Sequence, residues 1–157
     1  MKILGTGLSG LVGSRIIELL KNKYEFENLS LETGIDITNK KAVVKRIENS
    51  DSEVVLHLAA KADVDGCEND KILGNGGDAW KVNVLGTENV VAACKKTGKK
   101  IIYISTDFVF DGENGPYEES AKPSPINWYG ETKYKGELIV RESGTPFIIA
   151  RIAYPYK

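Results

Sequence analysis

Histidine appears once in this chain, methionine once and cysteine twice. The side chains from which metal centres, disulfide frameworks and histidine-based catalysis are assembled are therefore nearly missing. Cys67 and Cys94 stand far apart without flanking Cys or His, which indicates neither a bridge nor a metal site and leaves both as plain thiols. His57 lies inside Val54-Val55-Leu56-His57-Leu58 and reads as a satisfied strand residue rather than a base. Charge of one sign is lacking too: 21 basic against 22 acidic residues leave a net charge of -1, without the basic excess of a nucleic-acid binder. No apolar run approaches the ~20 residues of a spanning helix, and glycines rather than a signal-type apolar region follow the start. The expectation is a cytoplasmic protein with neither nucleic acid nor membrane as partner. At 157 residues the chain is long enough for one compact domain and short for two.

What is present is an alternation of short β-rich apolar runs with segments of helical period, the pattern of a doubly wound parallel sheet, a Rossmann-type three-layer α/β/α fold. Strands are expected at Lys2 to Thr6, Phe26 to Leu31, a stub at Gly34 to Asp36, Glu53 to Leu58, Lys100 to Ser105 and Pro146 to Arg151. Four helices fall between them. The first carries Val12, Ile16, Leu19 and Leu20, and the second runs from a Thr38 cap through Ile47. The third spans Ala79 to Thr97 with Gly98 as its stop, and the last spans Asn127 to Ser143. Two loops, Glu68 to Asp78 and Asp111 to Pro125, are candidate substrate-facing segments.

The stretch Gly5-Thr6-Gly7-Leu8-Ser9-Gly10-Leu11-Val12-Gly13 fits two phosphate-binding registers, one starting at Gly5 and one at Gly7. Starting at Gly5 would leave only four residues for the first strand. The register Gly7-x-x-Gly10-x-x-Gly13 gives a strand of ordinary length, with Gly7 in the turn, Gly10 admitting the pyrophosphate and Gly13 letting the helix approach the sheet. Gly5 is then an oddity inside a strand. Further along, Tyr129 and Lys133 are four apart on one helical face, and Thr106 ends a buried strand at the edge that faces the cofactor crevice of a doubly wound sheet. These three can converge.

With Asp36-Ile37-Thr38, Leu58-Ala59-Ala60, Val64-Asp65 with Cys67-Glu68, Asn83-Val84-Leu85-Gly86-Thr87, Ser105-Thr106-Asp107-Phe108-Val109-Phe110-Asp111-Gly112 and Pro125-Ile126-Asn127-Trp128-Tyr129-Gly130-Glu131-Thr132-Lys133 in order, the chain resembles the extended short-chain dehydrogenase/reductases. The resemblance is strongest to their dTDP-4-dehydrorhamnose reductase branch. It implies NAD(P)H-dependent reduction of a 4-keto nucleotide sugar, with Thr106 and Tyr129 on the substrate carbonyl, Tyr129 as proton donor and Lys133 on the nicotinamide ribose. A nearby ammonium would also draw the tyrosine pKa down toward working pH. By the same resemblance Gly7, Leu8, Ser9, Gly10, Leu11, Val12 and Gly13 cradle the dinucleotide, and Asp36 and Ile37 lie near its adenine. Leu58, Ala59, Ala60, Lys61 and Ser105 line its path, and Asn83 props the catalytic helix beside it.

Cofactor choice rests on Tyr24 to Thr38, which contains no Arg or Lys to meet a 2′-phosphate. Glu32, about 20 residues beyond the glycine loop, reads either as an acceptor for a ribose 2′-hydroxyl or as a surface turn acid, and NAD is favoured over NADP. Phe108 stands where the related dehydratases need a glutamate, and the serine-rich strand end of the epimerases is missing. A dinucleotide-binding module without catalysis, like the regulatory subunits of this branch, is the alternative of different class. The resemblance further implies a carboxyl-terminal substrate domain that these 157 residues do not include, and a symmetric dimer through the helices at 79–97 and 127–143.

Overall fold

A computed structural model describes residues 1–153. Five strands form one parallel sheet in the order β2-β1-β3-β4-β5: β1 (Lys2–Thr6), β2 (Glu25–Leu29), β3 (Val54–His57), β4 (Lys100–Thr106) and β5 (Phe147–Ile152). The order reverses between β1 and β3, and such a switch point opens a crevice at the carboxyl ends of the strands. Strand alternation separates two apolar faces. Leu4, Val55, Ile101 and Tyr103 face a core completed by α2 (Lys40–Glu48), α5 (Thr87–Thr97) and α6 (Trp128–Glu142), through Val43, Ile47, Val90, Cys94 and Val140. Ile3, Leu56, Ile102 and Ile104 face the opposite layer, where α1 (Leu11–Leu20) supplies Ile16 and Ile17. Among the described residues no helix is long and apolar enough to cross a membrane.

Several expected boundaries are corrected. The stub at Gly34 to Asp36 is not a strand: a 3₁₀ turn at Leu31–Thr33, closed by a capping box between Ser30 and Thr33, ends on left-handed Gly34 and takes the chain off the sheet edge. α2 is capped by Asn39, whose side chain accepts from Ala42 N, because Thr38 is held instead by Asp36 Oδ1 through both its N–H and its hydroxyl. A further short helix, α3 (Val64–Asp70), precedes a 3₁₀ segment Lys71–Gly76, so the expected loop at Glu68 to Asp78 begins inside a helix. Too short to show a period, α3 is set by its Asp63 cap on Gly66 N. The helix expected at Ala79 to Thr97 starts as α4 (Asp78–Trp80) and passes through a π-helical turn, Lys81–Gly86, into α5, which stops at left-handed Gly98.

Candidate active site

α1 begins at the N-cap Gly10, which has no side chain with which to satisfy the first-turn N–H groups, and no acidic residue occupies that turn. Free N–H groups at a helix start carry partial positive charge and suit an anion. Around them the chain comes close to itself. Gly7 has φ 68°, and a Cβ there would lie 2.8 Å from Ala59 N. A Cβ on Gly13 would meet Leu8 Cα at 2.5 Å and Gly7 O at 2.7 Å. The register starting at Gly7 is the one adopted.

From this helix start a cleft of about 860 Å³ runs across the carboxyl ends of the strands. Gly7, Ser9, Gly10, Leu11, Val12 and Gly13 line one part. Glu32, Asp36 and Ile37 line another, with Leu58, Ala59, Ala60 and Lys61 along the floor. Ser105, Thr106, Tyr129 and Lys133 border the far end. Two expected members lie elsewhere. Leu8 is fully buried with Ile3 and Leu56 because its side chain fills the space over Gly5, where a Cβ would meet it at 2.5 Å. That packing also explains a glycine inside β1. Asn83 is buried behind the cleft: Lys61 N donates to its Oδ1 at 2.8 Å, and its Nδ2 donates to Lys61 O and to Thr132 Oγ1. It braces the floor and α6 without facing the cleft. Leu31, Ile35, Val82, Phe108 and Ile152 also line the cleft and were missed, since an apolar side chain carries no local mark of facing a ligand.

At the far end the Thr106 hydroxyl lies beside the Tyr129 phenol, and Phe108 packs edge-on against the Tyr129 ring at 5.7 Å. Thr106 Oγ1 also donates to Asp107 Oδ1 and accepts from Phe108 N. Lys133 is 2 % exposed, sits over the Tyr103 ring at 4.3 Å, and donates from Nζ to Ile104 O at 2.7 Å. Burial lowers its pKa to about 7 against the opposing pull of the Glu137 carboxylate one turn on. Burial raises the Tyr129 phenol above its ordinary value, and the neighbouring Thr106 hydroxyl offsets only part of that. The expected lowering of the tyrosine pKa by Lys133 is thus corrected: the ammonium is aimed at a strand carbonyl, and desolvation of the phenolate dominates. Glu137, fully buried, is pushed up by burial but held below the usual carboxylate range by Arg151, which donates through Nε and Nη2 at 2.8 and 2.7 Å. His57, equally buried, is driven down to about 3 by burial and by Lys133, so it is a neutral ring.

A family model described as the RmlD substrate binding domain matches residues 1–157. A probable low-salt glycan biosynthesis reductase of Haloferax volcanii is 35% identical over 162 residues, covering 96% of this chain and 52% of that protein. Among solved structures, a dTDP-4-dehydrorhamnose reductase of Clostridium acetobutylicum superposes with a TM-score of 0.86 at 38% identity, over 96% of this chain and 52% of that one. The dTDP-4-dehydrorhamnose reductase of Bacillus anthracis, solved with NADP, gives 0.89 at 33% identity, over 99% and 54%. The chain spans about half the length of the curated relatives it matches.

Proposed function

The chain belongs to the family described as the RmlD substrate binding domain, and from that premise we propose that it is the dinucleotide-binding part of a reductase acting on a 4-keto nucleotide sugar. The observation that carries the reading is the convergence of Thr106 and Tyr129, with Lys133 one turn behind, at one end of a cleft whose other end is an uncapped helix start. The cleft's volume falls within the range of ligand sites, and its glycine cradle leaves no room for a Cβ at Gly7 or Gly13, so these residues fit a dinucleotide. Gly7 to Gly13 would hold the pyrophosphate, Asp36 and Ile37 the adenine end, and Ala59 to Lys61 the path between. When bound, the reduced nicotinamide supplies hydride to the carbonyl carbon.

The chain's own groups do the rest. Thr106 and Tyr129 orient the carbonyl oxygen by hydrogen bonding, and Tyr129 releases its phenolic proton to that oxygen as charge develops there. A phenol held above its ordinary pKa is fully protonated at neutral pH, which suits a donor in the reductive direction. Lys133, near neutrality in pKa, holds the ribose edge and can restore the tyrosine proton. Glu32 on the turn after β2 favours a free 2′-hydroxyl, hence NADH over NADPH. Three intact polar groups at the cleft end favour catalysis over a binding-only module, and Phe108 keeps a dehydratase disfavoured. The nucleotide sugar, a symmetric dimer through 79–97 and 127–143, and a reducing cytoplasmic setting for the free thiols Cys67 and Cys94 complete the reading. The test is oxidation of NADH or NADPH, with a dTDP-4-keto sugar, by the purified reductase of which this is the proposed dinucleotide-binding part. Bound cofactor without turnover would favour the binding-only module, and no cofactor binding would overturn both.

A further inference from the structure

His57 has no part in the proton transfer proposed above, yet it sits at the middle of an unbroken buried chain of hydrogen bonds. Ala59 N donates to Thr6 Oγ1 at 3.1 Å, and Thr6 Oγ1 lies 2.6 Å from His57 Nδ1. On the other side His57 Nε2 lies 3.0 Å from Thr87 Oγ1, which donates to Asn83 O at 2.7 Å. Asn83 then bonds Lys61 and Thr132, and Thr132 Oγ1 donates to Tyr129 O at 2.9 Å. Thr6, His57, Thr87, Asn83 and Thr132 are all buried.

Proton counting fixes the direction of every bond. Thr87 has one hydroxyl hydrogen and gives it to Asn83 O, so toward His57 it can only accept, and Nε2 must carry the ring hydrogen. A neutral imidazole has one N–H, so Nδ1 is a lone pair and accepts from Thr6, whose own lone pair takes Ala59 N–H. The π-helical turn Lys81–Gly86 is the segment that brings Asn83 within reach of both Lys61 and Thr132. The Nδ1 arm therefore ends at Ala59 N on the cleft floor, and the Nε2 arm, through Asn83, ends at both Lys61 and the backbone of Tyr129.

We infer that His57 is a positioning residue, locked as its Nε2–H tautomer, that holds the Ala59–Lys61 floor and the first turn of α6 in a single register. The cofactor arm of this inference rests on the dinucleotide reading given above. An asparagine side chain can place its oxygen at the Nδ1 position and a glutamine its NH₂ at the Nε2 position, so each preserves one arm and releases the other.

The experiment has three parts. Nitrogen NMR of the unsubstituted protein should show His57 neutral with hydrogen on Nε2 across roughly pH 5 to 8, whereas an Nδ1–H ring or a charged one overturns the inference without any variant. NADH affinity of His57→Gln, which loses the Ala59 arm, should weaken about fivefold or more, while His57→Asn, which loses the arm through Thr87 and Asn83 to Tyr129, should lose turnover about fivefold or more. Thr87→Val, close in shape, should reproduce the His57→Asn pattern. Gln and Asn variants that bind and turn over like the parent would overturn the inference. Failure of the parent itself to bind NADH would instead sink the dinucleotide reading, with the tautomer measurement still deciding the network.

Discussion

Lys133 Nζ donates to the carbonyl oxygen of Ile104 at 2.7 Å, which ties the buried ammonium of α6 to β4 two residues before Thr106. Both walls at the far end of the cleft are thereby joined through one charged hydrogen bond in a place where charge is costly. The consequences reach from stability to chemistry.

The first concerns pH. Lys133 has its pKa lowered from 10.5 to about 7 by burial, so between those values the unfolded chain binds a proton that the folded chain does not. Stability then rises with pH by up to about 1.4 kcal/mol per unit. The clean window runs from about 7 to 9.0, the ordinary thiol value, because the raised Cys67 and Cys94 give the opposite slope above it. Urea midpoints measured across this window should climb in the parent protein and stay flatter in Lys133→Met. Equal slopes would place the ammonium in water.

Proton donation is the second. Tyr129→Phe keeps the edge-on packing against Phe108 and removes the hydroxyl beside Thr106. Turnover should fall about 10² to 10⁴-fold with cofactor affinity and melting temperature nearly unchanged. A loss of under about tenfold would assign the proton to another group.

Two glycines separate folding from binding. Gly13→Ala drives a methyl into Leu8 Cα and Gly7 O, backbone that cannot yield, and should cost about 1–3 kcal/mol together with dinucleotide affinity. Gly10→Ala meets only Gly7 O, at 3.3 Å, so its thermal midpoint should hold while dinucleotide binding drops. Calorimetric melting beside NADH titration distinguishes them; an undisturbed affinity in Gly10→Ala would move the pyrophosphate away from the helix start.

Cofactor preference turns on the 3₁₀ turn after β2. Glu32 borders the cleft there, although the Bacillus anthracis relative was solved with NADP. The parent protein should prefer NADH, and Glu32→Arg should shift the ratio of affinities toward NADPH by about tenfold or more. A parent that prefers NADPH would remove Glu32 from the ribose.

Much of the fold was readable along the chain because its signals are local. The apolar run at Lys2 to Thr6, the period of Val12, Ile16 and Leu19, and the start of the last helix near Asn127 each depend on neighbours within a few residues, and the elements formed where those patterns stand. The stub at Gly34 to Asp36 failed for a reason of the same scale: the Ser30–Thr33 capping box outcompeted strand pairing.

The chain order of residues determined a parallel α/β layer, a glycine turn of one register, and a tyrosine and lysine a helical turn apart. Only the folded molecule decided where their atoms point. Leu8 left the cleft because Gly5 on β1 offers it space, Lys133 turned to Ile104, and the histidine that reads as ordinary strand filling became the link between Thr6 and Thr87. Each choice is made by groups far apart in sequence that meet when the sheet and its helices pack. Burial strips them of water, and every polar atom must then find its partner across that distance.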